Sequence, residues 1–227
     1  MKLGKPKFGK YFFEFTSVFF AVIAAFALDN WNDNRRDAKA EEKILMEIRS
    51  GLKSDLKDML DSKEEVKEGL RACNAFREVI FNDSIYRDSL PYDFFYLTAN
   101  SIPLINRSGY EGLKSKGLEI IRNDSLRKHI ISIYEIDFEQ IRKIEEESAI
   151  FQFYTNYGEP INQLLSRSFV FSKNSPGFRI EQPLKLNPQE KKLLLLYLSR
   201  IQLSRMSTIG YYDQIRGEIM KLIGEID

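Results

Sequence analysis

Residues 11–31 read Tyr-Phe-Phe-Glu-Phe-Thr-Ser-Val-Phe-Phe-Ala-Val-Ile-Ala-Ala-Phe-Ala-Leu-Asp-Asn-Trp, and the rest of the chain is read outward from them. Between Tyr11 and Leu28 the only ionisable acid or base is Glu14. As a helix the stretch extends roughly 31 Å, the thickness of a bilayer's hydrocarbon core. Lys10 marks one edge and Trp31 the other, with Tyr11 as a second interfacial aromatic. The expectation is a transmembrane helix over 11–31 preceded by a short basic tail, 1–10. A cleavable signal peptide is the competing reading, because Ala25-Phe26-Ala27 offers a small-x-small cleavage site behind basic residues. Glu14 inside the run and Trp31 directly after it favour an uncleaved anchor.

Orientation rests on the basic flanks. Lys2, Lys5, Lys7 and Lys10 precede the span with no acid among them; Arg35, Arg36, Lys39, Lys43 and Arg49 follow it. The two sides are nearly equal in number, but Lys10 abuts the span while residues 29–34 carry no base. This places the N-terminus in the cytoplasm and the larger part of the chain outside. Within the span, Ser17, Ala21 and Ala25 recur at four-residue spacing, a small-residue face on which two helices can approach closely. Glu14 lies on the same side. Its carboxylate either snorkels to the headgroups or faces a partner helix.

Composition narrows the function. Thirty-four basic and 33 acidic residues give a net charge of +1, without the concentrated basic field that a nucleic-acid surface needs. One cysteine, Cys73, excludes an intrachain disulfide, and one histidine, His129, excludes any site needing two. No glycine-rich phosphate loop and no metal-ligand spacing occur, so none of the usual nucleophile–base or metal arrangements can be assembled from the sequence, which leaves only a carboxylate pair that the fold would bring together. The expectation is a protein that is not an enzyme, with no cofactor, no metal and no nucleic-acid partner.

Beyond the span, residues 38–80 are helical in period. Leu45, Ile48, Leu52, Leu56, Met59, Val66, Leu70, Cys73 and Ile80 recur at three- and four-residue steps. Lys53, Asp55, Lys57, Asp58, Lys63, Glu64 and Glu65 fall between them and read as a solvated surface. The stripe predicts a stalk helix over 32–82, with a break allowed near Arg35 or Gly69. Such a stalk would hold the domain away from the bilayer, and Cys73 would be a small core residue. Residues 84–107, cut by Pro91 and Pro103, predict short helices rich in aromatics. Ser108–Lys116 predicts a short helix stopped by Gly117, and Asn123 a helix start, from which a helix is expected to run to about Tyr157 and end at Gly158 and Pro160. Phe169-Val170-Phe171 and Phe178-Arg179-Ile180 flank a turn and suggest a hairpin. Asn187-Pro188-Gln189-Glu190 opens a last helix, with Leu194, Leu198, Ile201, Tyr212, Ile215, Ile219 and Leu222 on one seam.

Two local signatures carry a resemblance. One is the span running into Asn30-Trp31-Asn32-Asp33-Asn34-Arg35-Arg36. The other is Arg107-Ser108-Gly109-Tyr110-Glu111-Gly112-Leu113-Lys114-Ser115-Lys116-Gly117, followed by Leu118 to Ile121, Asn123-Asp124, Leu126-Arg127 and Tyr134. Together they resemble an uncharacterised bacterial family of single-span helical membrane proteins, a domain of unknown function with W-N-E/D-x-R after the span and Y-E-x-L-K-S-x-G mid-chain. The match covers the anchor and roughly residues 105–135. Physically the second signature is a joint between long helices. Alternatively, Arg107, Tyr110, Lys114 and Lys116 present donors to an anionic ligand or partner, helped by the amides of residues 123–125.

The fold expected is all-α: a transmembrane helix continuing into a long stalk helix, packed with two further long helices and short connecting helices as an elongated bundle. Residues 83–227 would form the helical soluble domain, with 38–82 part of its core. The function expected is a single-pass accessory protein of the bacterial inner membrane, its C-terminal domain periplasmic. It would contact lipid and either oligomerise or join a larger membrane complex; the alternative is a ligand-sensing bundle that signals through a partner.

Overall fold

No proline interrupts residues 8–81, and in the computed structural model the whole segment is one helix, α1 (Phe8–Phe81). The structure describes residues 8–99, 102–147 and 154–226. Lys2, Lys5 and Lys7 lie outside the described residues, as do the side chains of Lys10 and Tyr11. At 74 residues α1 is about 110 Å long. The allowed break points, Arg35 and Gly69, both sit in continuous helix.

α1 passes through three surroundings. From Phe12 to Leu28 its side chains are almost all exposed and apolar; from Asp29 to Lys39 they are exposed and, apart from Trp31 and Ala38, polar. From Ile44 upward a buried stripe appears: 44, 48, 52, 55, 59, 62, 66, 69, 73, 76 and 80. These steps of three and four residues are the seam of a helix packed along its length. The stripe lies slightly to one side of the expected one, so Leu45, Leu56 and Leu70 are only half-buried.

Short elements are laid across α1. α2 (Leu90–Thr98) has Pro91 in its first turn, where no amide is needed, and α3 (Ser108–Lys116) is the next helix along the chain. Gly117, at φ 98°, turns the chain out of α3 through a conformation that glycine adopts without strain. After a 3₁₀ turn, α4 (Asp124–Ser132) begins at Asn123, whose side chain accepts from the amides of Ser125 and Leu126. A π-helical turn (Ile133–Asp137) joins α4 to α5 (Phe138–Glu147).

Gly158 and Pro160 do not stop the chain, contrary to expectation. Gly158 keeps helical angles (−60°, −55°), and Pro160 falls in the first turn of α6 (Glu159–Leu165), where its missing amide costs nothing. The hairpin forms as β1 (Phe169–Ser172) and β2 (Ser175–Ile180), pairing Phe169 with Ile180 and Phe171 with Phe178. Phe169 and Phe178 meet the ring of Phe94 edge-on at 5.1 and 5.8 Å. α7 (Pro188–Ile226) opens with Asn187 accepting from the amides of Gln189 and Glu190, while Glu190 reaches back to the Asn187 amide. It runs antiparallel to α1, held by Lys191–Asp83 at one end and Lys63–Asp213 further along. The result is an elongated all-α bundle with one small hairpin.

The interior divides in two. A lower core joins Ile44, Ile48, Leu52 and Met59 of α1 to Tyr110, Leu113, Leu126, Ile130, Tyr134 and Phe138, with Tyr212, Ile215, Ile219 and Leu222 of α7. An upper core joins Ala72, Cys73, Phe76, Val79 and Ile80 to Leu90, Leu97, Ile161, Leu165 and Ile180, with Leu194, Leu198 and Ile201 of α7. Between them lies a waist of buried Ser62, Ser204 and Arg205 beside Gly69. The Arg205 guanidinium donates to the carbonyls of Tyr96, Leu97 and Ala99 at 3.0, 2.9 and 3.1 Å, closing the end of α2. Cys73 is buried in the upper core, and burial pushes its thiol up to about 11, so it stays protonated.

Two glycines of α3 separate packing from propensity. A Cβ on Gly109 would lie 2.7 Å from the Ile48 amide nitrogen, whereas one on Gly112 would meet nothing nearer than 3.9 Å. Gly109→Ala is expected to destabilise the detergent-solubilised chain by about 1–3 kcal/mol. Gly112→Ala should stabilise it by up to about 1 kcal/mol. Thermal unfolding of the two variants beside wild type checks the contrast.

Candidate functional site

The apolar segment of α1 is the first candidate. Among the described residues one helix is long and apolar enough to cross a membrane, and nothing in the fold buries that part of it. Phe12 and Phe13 are 69% and 79% exposed, and Trp31 is 62% exposed with the Arg35 guanidinium 5.9 Å from its ring centroid. The hydroxyls in the segment are satisfied within the helix: Thr16 donates to the Phe12 carbonyl and Ser17 to that of Glu14. Such back-bonding is what a hydroxyl requires where no water reaches it. Ser17, Ala21 and Ala25 lie on one exposed face. At 100° per residue, Ala21 is roughly 140–180° around the helix from Ile44 and Ile48, on the side away from the bundle.

The mid-chain signature forms the second candidate. Gly109 brings α3 against the α1 backbone, and Tyr110, buried, stacks on Tyr134 with centroids 4.5 Å apart and planes 2° from parallel. Arg107 donates to Glu139 at 2.5 Å, and Lys114 lies 2.8 Å from Glu111, 3.8 Å from Glu135 and 5.0 Å above the Tyr110 ring. The fold thus gathers Arg107, Tyr110 and Lys114 but leaves Lys116 exposed at the end of α3. The two gathered cations already face carboxylates, which an anion would have to displace. Of the amides of residues 123–125, that of Ser125 is likewise taken by the Asn123 side chain, which also accepts from Leu126. This chemistry suits a joint that locks α3 to α5: burial, then the Glu135 hydrogen bond, hold the Tyr110 phenol up at about 12.

His129 bridges α4 and α7, with Nδ1 2.8 Å from Glu225 and Nε2 3.4 Å from Glu218. No group of three or more His, Cys, Asp and Glu side chains suited to a metal occurs among the described residues. A groove of about 620 Å³ beside α5 is lined by Glu135, Ile136, Glu139, Gln140, Lys143, Ile144 and Tyr211.

Asp55 was expected on the solvated face and is instead fully buried. Its helical phase explains this, since it lies three residues after Leu52 and four before Met59, both on the buried seam. One oxygen accepts the amide of Asn106 at 2.8 Å, just before α3. The other has no partner among the described residues, nor has the buried Tyr134 hydroxyl. Burial, more than the repulsion of Asp58, raises the Asp55 carboxyl from 3.8 to about 6 despite the Asn106 hydrogen bond. Burial, and after it the Asp55 charge, hold the Tyr134 phenol well above its ordinary value.

A carboxyl raised by folding binds its proton more tightly in the native state. Its contribution to stability is therefore greatest below about pH 4, declines as pH rises, and is lost above about pH 6. Asp55→Asn keeps an acceptor for the Asn106 amide and removes the charge. It should flatten the stability profile between pH 4 and 7 and raise stability at pH 7 by about 1–3 kcal/mol. Chemical denaturation across that range checks this, and an unchanged slope would assign the pH dependence to other groups.

No protein-family model, curated protein or solved structure matches the chain.

Proposed function

We propose that this chain is a single-pass accessory protein of a bacterial inner membrane, anchored by residues 11–31, that self-associates or joins a larger membrane complex. The family suggested by the two signatures belongs to the same reading, as does the orientation with the N-terminus cytoplasmic and the bundle periplasmic. The observation that carries the assembly reading is the outer face of α7. Directly opposite the helix's buried seam, Leu196, Leu203, Gly210, Gly217 and Gly224 follow one another at seven-residue spacing, all exposed. A Cβ on any of these three glycines would meet nothing within 4 Å.

Each exposed glycine costs a helix about 1 kcal/mol relative to alanine, and no neighbour within the chain accounts for it. A partner backbone drawn close to this face would account for all three. Met206 and Met220 flank the stripe, 62% and 54% exposed, and add adaptable apolar surface. The small-residue face of the span points away from the bundle, so two anchors can meet there without their bundles colliding. The seam from Ile44 to Ile80 makes no such contact, being consumed by packing within the chain.

Three measurements test this. The chain should remain in the membrane fraction through alkaline carbonate extraction; release there would end the anchor reading. In mild detergent, light scattering should give a mass above one chain, or a co-purifying protein, and Gly217→Leu and Ala21→Leu should each reduce it. Gly217→Ala should weaken association to a lesser degree, because its Cβ stands where a partner backbone approaches, while raising the thermal stability of the separated chain slightly. A wild-type chain that is monomeric and brings no partner with it would overturn the assembly reading.

A further inference from the structure

We propose that the lower end of the bundle rests on the zwitterionic phospholipid headgroups around its own anchor, held there by Arg122. The inference depends on reading residues 11–31 as a membrane span, and it replaces the picture of a domain held off the bilayer by a stalk.

The argument is one of length along an unbroken helix. Leu28 is the last residue of the apolar segment, and the Asn34 carbonyl lies about 9 Å further along α1. The headgroup layer itself extends roughly 5–8 Å beyond the hydrocarbon. Arg122, in the turn before α4, donates from Nη2 to that Asn34 carbonyl at 2.9 Å, and its backbone amide donates to Glu41 at 2.8 Å. The bundle therefore begins at the outer edge of the headgroups, with no free length of helix beneath it.

The chemistry of this end fits a zwitterionic surface. Arg122 is about half exposed, and a guanidinium carries five donors, of which one serves Asn34 and the Nε side faces Glu41. The remainder are available to phosphate and ester oxygens. Arg35, Arg36 and Lys39 alternate with Asp33, Asp37 and Glu41 over the same two turns of α1. Mixed charge of this kind matches paired phosphate and ammonium groups, whereas a strongly anionic ligand would meet repulsion from three carboxylates. The hairpin marks the opposite end: it packs on Phe94 against Phe76, about 72 Å along α1 from Leu28.

The test uses the full chain carrying Cys73→Ala, reconstituted in phosphatidylcholine vesicles, with a fluorophore on one introduced cysteine at a time. Phe19→Cys reports the span through quenching by lipids spin-labelled deep in the acyl chain. Ser125→Cys and Lys173→Cys report the two ends of the bundle through quenching by lipids spin-labelled at the headgroup. The expected result is deep quenching at Phe19→Cys and headgroup quenching at Ser125→Cys several-fold above that at Lys173→Cys. Adding Arg122→Ala should lower the Ser125→Cys signal. Equal quenching at the two ends, with Phe19→Cys still deep, would overturn the docking while leaving the anchor. An unquenched Phe19→Cys would overturn both. A Ser125→Cys signal indifferent to Arg122→Ala would overturn the role given to Arg122.

Discussion

The backbone hydrogen-bond ladder of α1 is the constraint on which everything else hangs. It runs from Phe8 to Phe81 without a proline or a change of period. Side-chain polarity changes along it while the backbone does not: apolar on all sides, then polar on all sides, then apolar along one seam. Each pattern answers a different surrounding, and one rigid element imposes a common axis on all three. Packing against α7 lets so long a helix persist above the apolar segment, since an isolated helix of this composition gains little from propensity alone.

The short elements are held by buried charges donated from the two long helices. Asp55 of α1 accepts the Asn106 amide just ahead of α3, and Arg205 of α7 closes the carbonyl end of α2. The signs are those favoured by helix dipoles, negative toward a start and positive at an end. The connection between α2 and α3 is thus gripped at both sides by groups that hydrophobic pattern alone would not place in an interior. Each grip is matched by a glycine. Gly51 faces Asn106, and a Cβ on Gly69 would fall 1.7 Å from Arg205 Nη1.

Much of the architecture is legible in the sequence because it is periodic. The apolar run, the stripe above it, the Asn123 and Asn187 caps, the Gly117 stop and the paired aromatics of the hairpin all depend on residues close in sequence. What is not legible depends on distance. Asp55 reads as one charge among many, and only its phase against Leu52 and Met59 shows that it turns inward. Nothing near Arg205 in sequence announces three carbonyls more than a hundred residues earlier. Gly158 and Pro160 look like a stop because both residues usually break helices; a proline in the first turn of a new helix reads identically until the structure is seen. The candidate site was legible as a set of donors; of the carboxylates that occupy them Glu111 is in α3 itself, while Glu135 and Glu139 come from the π-helical turn and α5, whose faces cannot be assigned without the fold.

The polar waist has a consequence for how the molecule opens. Apolar contact does not run continuously from the lower core to the upper one; the two share α1 and α7 and meet across Ser62, Ser204 and Arg205. Cooperative unfolding spreads through continuous packing, so a boundary of this kind divides a protein into separately opening units. The upper unit, with its hairpin and short α6, can loosen while the lower one stays closed over the Tyr110–Tyr134 stack. Amide exchange would then proceed at two characteristic rates, with α1 and α7 each changing rate partway along their length.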